Sequence, residues 1–195
     1  SVLPAGAYAG PLEAVGDNIC VPPNVARKCR HAIRKRAHAY VTKRLRLQQR
    51  CLDAVGKGAA IGACPDEKTI LRLEKLRGRL ATEKLAAKCP PEVVVSSQLA
   101  GTCAGGETAA DLRDCILTTA DAAVAGMLET EYADTDPMAA LPTVAAAACQ
   151  RRISRTLGSY QKGRLEQLAA CQAKEDRNKV DDCPDEKTAA KLAHR

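Results

Sequence analysis

The sequence predicts an all-α protein in which disulfides staple helical hairpins, with about one and a half copies of a repeat of roughly 120 residues. Three observations support this prediction. The hexamer CPDEKT occurs at residues 64–69 and again, letter for letter, at residues 183–188. Ten cysteines recur at matched spacings, and apolar residues follow the three- and four-residue rhythm of amphipathic helices.

The repeat extends upstream of the hexamer. Cys29 and Cys149 each stand 22 positions before a second cysteine, Cys51 or Cys171. At an offset of 120 residues the matching pairs are Ile33 and Ile153, Lys35 and Arg155, Tyr40 and Tyr160, Arg44 and Arg164, and Leu45 and Leu165. We therefore divide the chain into an extended segment (1–28), a first repeat of a helical hairpin plus a third helix (29–136), and an incomplete second repeat (137–195).

The composition explains why the cysteines are needed. The 195 residues include no Trp, no Phe, two Met and four Tyr, so Ala, Leu, Val, Ile and Cys must form the core. At roughly 25 cal/mol per Å² of apolar surface, such a core contributes little burial energy per residue. An even cysteine count at repeated spacings predicts disulfides, whereas metal-binding thiols or a c-type haem would need a C-x-x-C pair, which is absent. We expect no cofactor.

A disulfide framework requires an oxidising compartment, so we expect an exported protein that is secreted or located in a bacterial periplasm or on a cell surface. The sequence starts at Ser1 without a signal-like segment, and we expect any signal peptide to have been removed or left out. No apolar run reaches the roughly 18 residues that a transmembrane helix needs. We therefore expect no membrane insertion.

The first hairpin follows from turn and cap signals. Four prolines interrupt residues 1–28, and the first helix should run from residue 24 or 25 to Cys51. Its inward positions are Ile33, Ala37, Tyr40, Val41, Leu45 and Leu52. The hexamer begins the second helix, because proline suits a first turn and the acids Asp66 and Glu67 favour the positive end of the helix dipole. A cation site at these two carboxylates is the less favoured interpretation. The second helix should run to Cys89, with Ile70, Leu73, Leu76, Leu80 and Leu85 inward.

Two antiparallel helices of similar length place the outer cysteines together and the inner cysteines together. This predicts the pairs Cys29–Cys89 and Cys51–Cys64, and the second repeat predicts Cys171–Cys183. Cys103 and Cys115 are close enough in sequence to form a fourth pair. In the chain-entropy model, closing the outer loop contributes on the order of 4 kcal/mol.

The remaining elements come from shorter patterns. Residues 93–95 form a strand-like apolar run, and a third helix should cover residues 108–132 with Thr108 as its N-cap. The stripe of this helix is Leu112, Cys115, Ile116, Ala120, Ala123, Val124, Met127 and Leu128. A long helix should then cover residues 144–171, with Ile153, Leu157, Tyr160, Leu165 and Leu168 inward.

Two cysteines, Cys20 and Cys149, are left without an assigned partner. The sequence that follows Cys20, VPPNV, resembles the PPEV that follows Cys89, so Cys20 stands where a hairpin ends. Three arrangements stay open: the N-terminal segment completes the second hairpin of its own chain, it completes that of a neighbouring copy, or the chain is a piece of a longer repeat protein.

Charge is distributed unevenly along the chain. Residues 27–50 contain no acid and ten basic residues: Arg27, Lys28, Arg30, Arg34, Lys35, Arg36, Lys43, Arg44, Arg46 and Arg50. Residues 111–136 are acidic, with Arg113 as the one base. Two solvated faces that attract each other explain this pattern. The alternative is a candidate surface for a polyanion, with base recognition disfavoured because aromatic residues are so few.

No motif indicates catalysis. The histidines are His31, His38 and His194, and no nucleophile elbow, phosphate loop or His-Glu metal motif occurs. We therefore predict a non-catalytic exported structural protein that self-associates head to tail as a subunit of an extracellular filament or coat, and whether Cys20 bonds Cys149 of a neighbour or of its own chain stays open. The alternative is a secreted monomeric module whose basic helix binds an acidic polymer, a cell surface or nucleic acid. A carrier of an apolar small molecule is the third and weakest hypothesis.

Overall fold

The computed structural model is all-helical, which confirms the predicted class. It describes residues 23–60, 62–96, 103, 106–133, 139–177, 179 and 183–193. The helices in these ranges are α1 (Pro23–Gly56), α2 (Glu67–Gly78), α3 (Thr82–Ala86), α4 (Pro91–Ser96), α5 (Ala109–Glu131), α6 (Val144–Glu175) and α7 (Glu186–Ala193). No helix within them is long and apolar enough to cross a membrane.

Helix α1 is the central element, and α2, α5 and α6 all contact it. It begins at Pro23, next to the predicted start at residue 24 or 25, so the extended N-terminal segment cannot reach residue 28. Proline is tolerated in a first turn because an N–H there has no intrahelical partner. The helix also continues past Cys51 to Gly56 and buries Val55, and Gly58 then turns the chain with a φ of 67°.

The single helix predicted between the first hexamer and Cys89 is wrong, because the chain bends after Gly78. Helix α2 ends there, the Arg79 N–H bonds the Leu76 carbonyl, and α3 begins at Thr82. Glycine weakens a helix interior, and the bend brings Leu80 and Leu85 into the core at 3% and 0% exposure. Ile70, which was predicted to point inward, is 43% exposed.

The strand-like run at residues 93–95 is helical, so that prediction is also wrong. Pro91 begins α4, again in a first turn. Val93 and Val94 are both buried and Val95 is exposed, which is a helical pattern, since a strand would alternate. The three branched side chains favoured a strand only by propensity, which tertiary packing overrides.

Helix α5 matches the prediction closely. Thr108 is its N-cap and forms a capping box with Asp111: Thr108 Oγ1 accepts from the Asp111 N–H, and Asp111 Oδ2 accepts from the Thr108 N–H. Its buried apolar residues are Ala109, Leu112, Ile116, Ala120, Val124 and Leu128. They pack on α1 in two clusters, one around Cys29, Ile33 and Leu85 and the other around Tyr40, Val41 and Leu45.

Helix α6 packs on α1 with small and polar side chains, which makes its predicted inward set wrong. Ile153 is 42% exposed, and Leu157, Tyr160, Leu165 and Leu168 are only half-buried. The buried residues are instead Ala147, Ser154, Gly163 and Cys171. At Gly158 an added Cβ would lie 3.3 Å from the Gln49 amide oxygen, so this glycine permits the close approach of α1.

The two hexamers adopt the same local structure. Asp66 Oδ1 accepts a hydrogen bond from the Thr69 N–H at 2.9 Å, and Asp185 Oδ1 accepts one from the Thr188 N–H at 2.9 Å. These bonds from the threonines lower the pKa of both carboxyls. Each aspartate thereby stands at the start of a helix, as predicted, but Pro65 and Pro184 precede the helices, so the prediction that proline occupies the first turn is wrong.

Candidate functional surfaces

Four disulfides join the described cysteines in the predicted pairs. They are Cys29–Cys89, Cys51–Cys64, Cys103–Cys115 and Cys171–Cys183. The first links α1 to the residue that follows the α3 turn, and both of its cysteines are fully buried. The protein is therefore disulfide-rich, which is typical of proteins from oxidising compartments.

Cys149 lies on an exposed face near the start of α6 and has no disulfide partner within the described residues. Its predicted partner, Cys20, lies outside those residues. At the matching positions of α1, Cys29 and Ile33 are 0% and 3% exposed beneath α3, α4 and α5. Ile153, the counterpart of Ile33, is 42% exposed.

Three of the ten predicted basic residues are held in ion pairs. Asp176, just after α6, accepts from Arg30 Nε at 2.6 Å and from Arg34 Nη2 at 2.5 Å. Arg44 Nη1 lies 3.1 Å from Asp121 on the acidic helix α5. This last pair is a direct contact between the basic and acidic segments.

Asp121 also accepts hydrogen bonds from a second residue of α1 and from α2. The Tyr40 hydroxyl donates to Asp121 Oδ1 at 2.7 Å, and Arg77 of α2 pairs with the other carboxylate oxygen. Burial, followed by this hydrogen bond to Asp121, raises the pKa of Tyr40. The cluster joins α1, α2 and α5 around one carboxylate.

A first groove, of about 920 Å³, lies between the N-terminal half of α1, the α2–α3 connection and the C-terminal end of α6. Helix α1 lines it with Arg27, Lys28, Arg34, Lys35, Arg36 and Lys43. Arg79, Lys88 and Arg177 line its other walls. Asp176 is the single acid of this lining.

A second groove, of about 590 Å³, lies between the C-terminal half of α1 and the first half of α6. Its basic residues are Arg46, Arg50, Lys57, Arg151, Arg155 and Lys162, and Asp53 is its single acid. Eight of the ten predicted residues thus line one groove or the other. The remaining two, Arg30 and Arg44, line neither and are held in ion pairs.

A buried polar network lies at the junction of α1, α5 and α6, and it was not predicted from the sequence. The Gln49 amide donates to the Glu131 carboxylate at 2.9 Å and to the Ser154 carbonyl at 3.1 Å. The Tyr132 hydroxyl contacts Ser154 Oγ at 2.6 Å and donates to Asp53 Oδ1 at 3.1 Å. Burial raises the pKa of Tyr132 well above its usual range. The one sign of this network in the sequence is Ser154, a polar residue within a helix whose inward face was predicted to be apolar.

The histidines do not converge on a reactive group within the described residues. His31 is exposed on the wall of the first groove, His38 is half-buried on α1, and His194 lies outside the described residues. No group of three His, Cys, Asp or Glu side chains that could hold a metal occurs in the described ranges.

No protein-family model, curated protein or solved structure matches this chain.

Proposed function

We propose that this is an exported, non-catalytic structural protein, built from about one and a half copies of a 120-residue repeat, that self-associates head to tail as a subunit of an extracellular filament or coat. The exposed face of α6 around Cys149 and Ile153 carries the proposal. The four disulfides support export, because such bonds persist in oxidising compartments.

The first repeat shows what covers this face when a hairpin is complete. There, the segment that contains Cys89, Val93 and Val94 buries Cys29 and Ile33 of α1. The matching face of α6 is open within the described residues, and the segment that begins at Cys20 has a similar sequence to the one that begins at Cys89. We therefore expect the segment that begins at Cys20, from this copy or another, to pack over Ile153.

The direction of the helices favours a neighbouring copy as the source of that segment. Arg30 and Arg34 meet Asp176 beyond the end of α6, whereas Gln49 meets Ser154 near its beginning. The two helices are therefore antiparallel, and Gln49, 26 positions after Pro23, lies about 39 Å from it along α1 at 1.5 Å per residue. Cys149 lies beyond that point. Cys20 is three residues before Pro23 and can reach only about 10 Å from it.

A bond between Cys20 and Cys149 therefore forms between copies unless much of α1 unfolds. Each such bond requires two thiols to give two electrons and two protons to a disulfide oxidant of the export compartment. The contact joins different surfaces of two copies, so it is heterologous, and repetition of a heterologous contact produces a chain when it does not close into a ring.

Light scattering and electron microscopy of the oxidised full chain test this function. We expect chains whose mean mass rises with protein concentration. Ile153→Asp should shorten them, because a carboxylate on the contact face would be buried without a partner. The matched control is Leu71→Asp, which places the same charge at an exposed apolar position on α2. A monomer at every concentration, or equal loss in both variants, would contradict the proposal.

The basic grooves favour a second candidate function, in which the protein binds an acidic polymer, an anionic cell surface or nucleic acid. Eight cations of α1 line these grooves, and the two acids of the linings are already engaged by protein groups. Retention on a heparin column at low salt, with elution by added salt, tests this function in its general form. A protein that passes such a column unretained at low salt does not have it.

A further inference from the structure

Both basic grooves are lined by α1, and both reach α6. On α1 the linings interleave, since Tyr40 and Lys43 belong to the first groove and Val41 and Thr42 to the second. On α6 the second groove extends to Leu165 and the first begins at Ala173. From Arg27 to Ala54 the combined lining extends about 40 Å along α1.

The charge along this path is strongly one-sided. Fifteen of the chain's 30 Lys and Arg residues line the two grooves, against two of its 23 acids. Within the described residues, only Arg34 and Lys162 among those fifteen cations form an ion pair, with Asp176 and Glu166. A cleft that is lined by charges of one sign concentrates ions of the other sign.

The side chains that line the two grooves favour some classes of polyanion over others. Tyr40 is its one aromatic residue, and that side chain is 2% exposed with its hydroxyl bonded to Asp121. Sites for single-stranded nucleic acid stack successive bases on several exposed aromatic rings, whereas the imidazole of His31 is the one exposed ring in the lining that the structure describes. Reading a duplex requires an element that enters a DNA groove, whereas α1 is flanked by α2, α5 and α6 and its cations line a concave surface.

We infer that the two grooves form one continuous track that binds a linear anionic polysaccharide along the α1–α6 pair. This inference rests on the second function proposed above and names its ligand. Sulfate or carboxylate groups are spaced along such a polymer, and the guanidinium groups of arginines in the grooves can each bind one of them with two parallel hydrogen bonds. Each repeat contributes to the track, since Lys35 lines the first groove and its counterpart Arg155 lines the second.

Calorimetric titration of the full chain tests the inference, with size-defined heparin oligosaccharides as probes. One probe spans about 40 Å, the length of the track, and the other spans half of that. Lys35→Glu and Arg155→Glu should each weaken binding of the long probe about tenfold, because each reverses an exposed charge in one groove. Lys84→Glu is the matched control: it reverses an exposed charge on α3 outside both grooves and should change affinity less than about twofold.

The outcomes separate the inference from the function on which it rests. A short probe that binds as tightly as the long one, or a Lys84→Glu loss equal to the other two, overturns the continuous track. DNA of equal charge that binds more tightly than the long oligosaccharide overturns the ligand class while leaving polyanion binding in place. If no polyanion binds at low salt, the second function itself fails.

Discussion

The Tyr132 hydroxyl lies 2.6 Å from Ser154 Oγ, and this contact joins the end of α5 to α6. Both hydroxyl oxygens also lie within hydrogen-bond distance of Asp53 Oδ1 of α1, at 3.1 and 3.2 Å, so at least one of the two hydroxyls donates to this carboxylate when the other bond joins the hydroxyls. Tyr132 is 9% exposed and Ser154 is 2% exposed, whereas Asp53 is half-buried on the wall of the second groove. A buried network of this kind stabilises the junction only while each member keeps its partners.

Tyr132→Phe should therefore destabilise the protein. The substitution removes one hydroxyl, leaves the ring in place and deprives Ser154 and Asp53 of a partner, at a cost of about 1–2 kcal/mol in the free energy of unfolding. Urea unfolding with the disulfides intact measures it.

The matched control is Tyr160→Phe, since among the described residues the Tyr160 hydroxyl has one partner, Arg164, which donates to it at 3.1 Å on a half-buried part of α6. That variant should stay within about 0.5 kcal/mol of the parent protein. Equal losses in the two variants would show that the network does not stabilise the junction.

Alkaline pH should weaken the fold through the same residue. Burial raises the pKa of Tyr132 and Tyr40 in the folded protein. Below pH ~10 the folded and unfolded states both keep the phenol proton, so this contribution is fully present. Above that pH the unfolded chain loses protons that the native state retains, and the free energy of unfolding falls. Urea unfolding across this range, with free thiols alkylated, should show a shallower fall for Tyr132→Phe; an unchanged slope would contradict the assignment.

Local signals predicted much of this fold from the sequence. Thr108 and the two hexamers identify helix starts through short-range hydrogen bonds, and paired spacings identify the disulfides. The break after Gly78 and the helix at Pro91 depend instead on how Leu80, Leu85 and Val93 reach a shared core. Such packing is long-range, and no window of sequence contains it.

The grooves could be predicted only in part for a similar reason. The ten cations of residues 27–50 stand out as a run, and α1 carries them all. Their combination with Arg155 and Arg177 requires α6 to lie antiparallel on α1, which Gly158 and the buried Ser154 permit. The pairing of Asp176 with Arg30 and Arg34 spans more than 140 positions and leaves no trace in the local sequence.

The disulfides should differ in what they contribute to stability. Replacing Cys29 and Cys89 with alanine opens a loop of 60 residues, and the chain-entropy model assigns about 4 kcal/mol to its closure. Replacing Cys51 and Cys64 opens a loop of 13 residues, for which the model gives about 3 kcal/mol. Urea unfolding under non-reducing conditions ranks the two variants. A larger loss for the shorter loop would contradict the entropic account.

Titration of free thiols tests whether the four disulfides are formed. Four disulfides use eight of the ten cysteines, so the denatured, unreduced protein should show at most two reactive thiols, those of Cys20 and Cys149. In the native protein the exposed Cys149 thiol should react quickly. Cys149→Ser should lower the count by one in unassembled protein. Reaction of most of the ten thiols would contradict both the disulfide framework and the polymer proposed from it.

Asp176→Asn should strengthen binding to an anionic polysaccharide. Asp176 is the one acid in the first groove, and it neutralises Arg34 on the groove wall and Arg30 beside it. Loss of its charge releases two guanidinium groups and should raise affinity about threefold, as measured by calorimetric titration at fixed salt. Asp121→Asn is the control, because that carboxylate also pairs with two arginines but lies outside both grooves. If Asp176→Asn folds but its affinity is unchanged or weaker, the ion pairs of Asp176 with Arg30 and Arg34 only hold the end of α6 against α1. In that case Asp176 does not compete with the polysaccharide for these arginines.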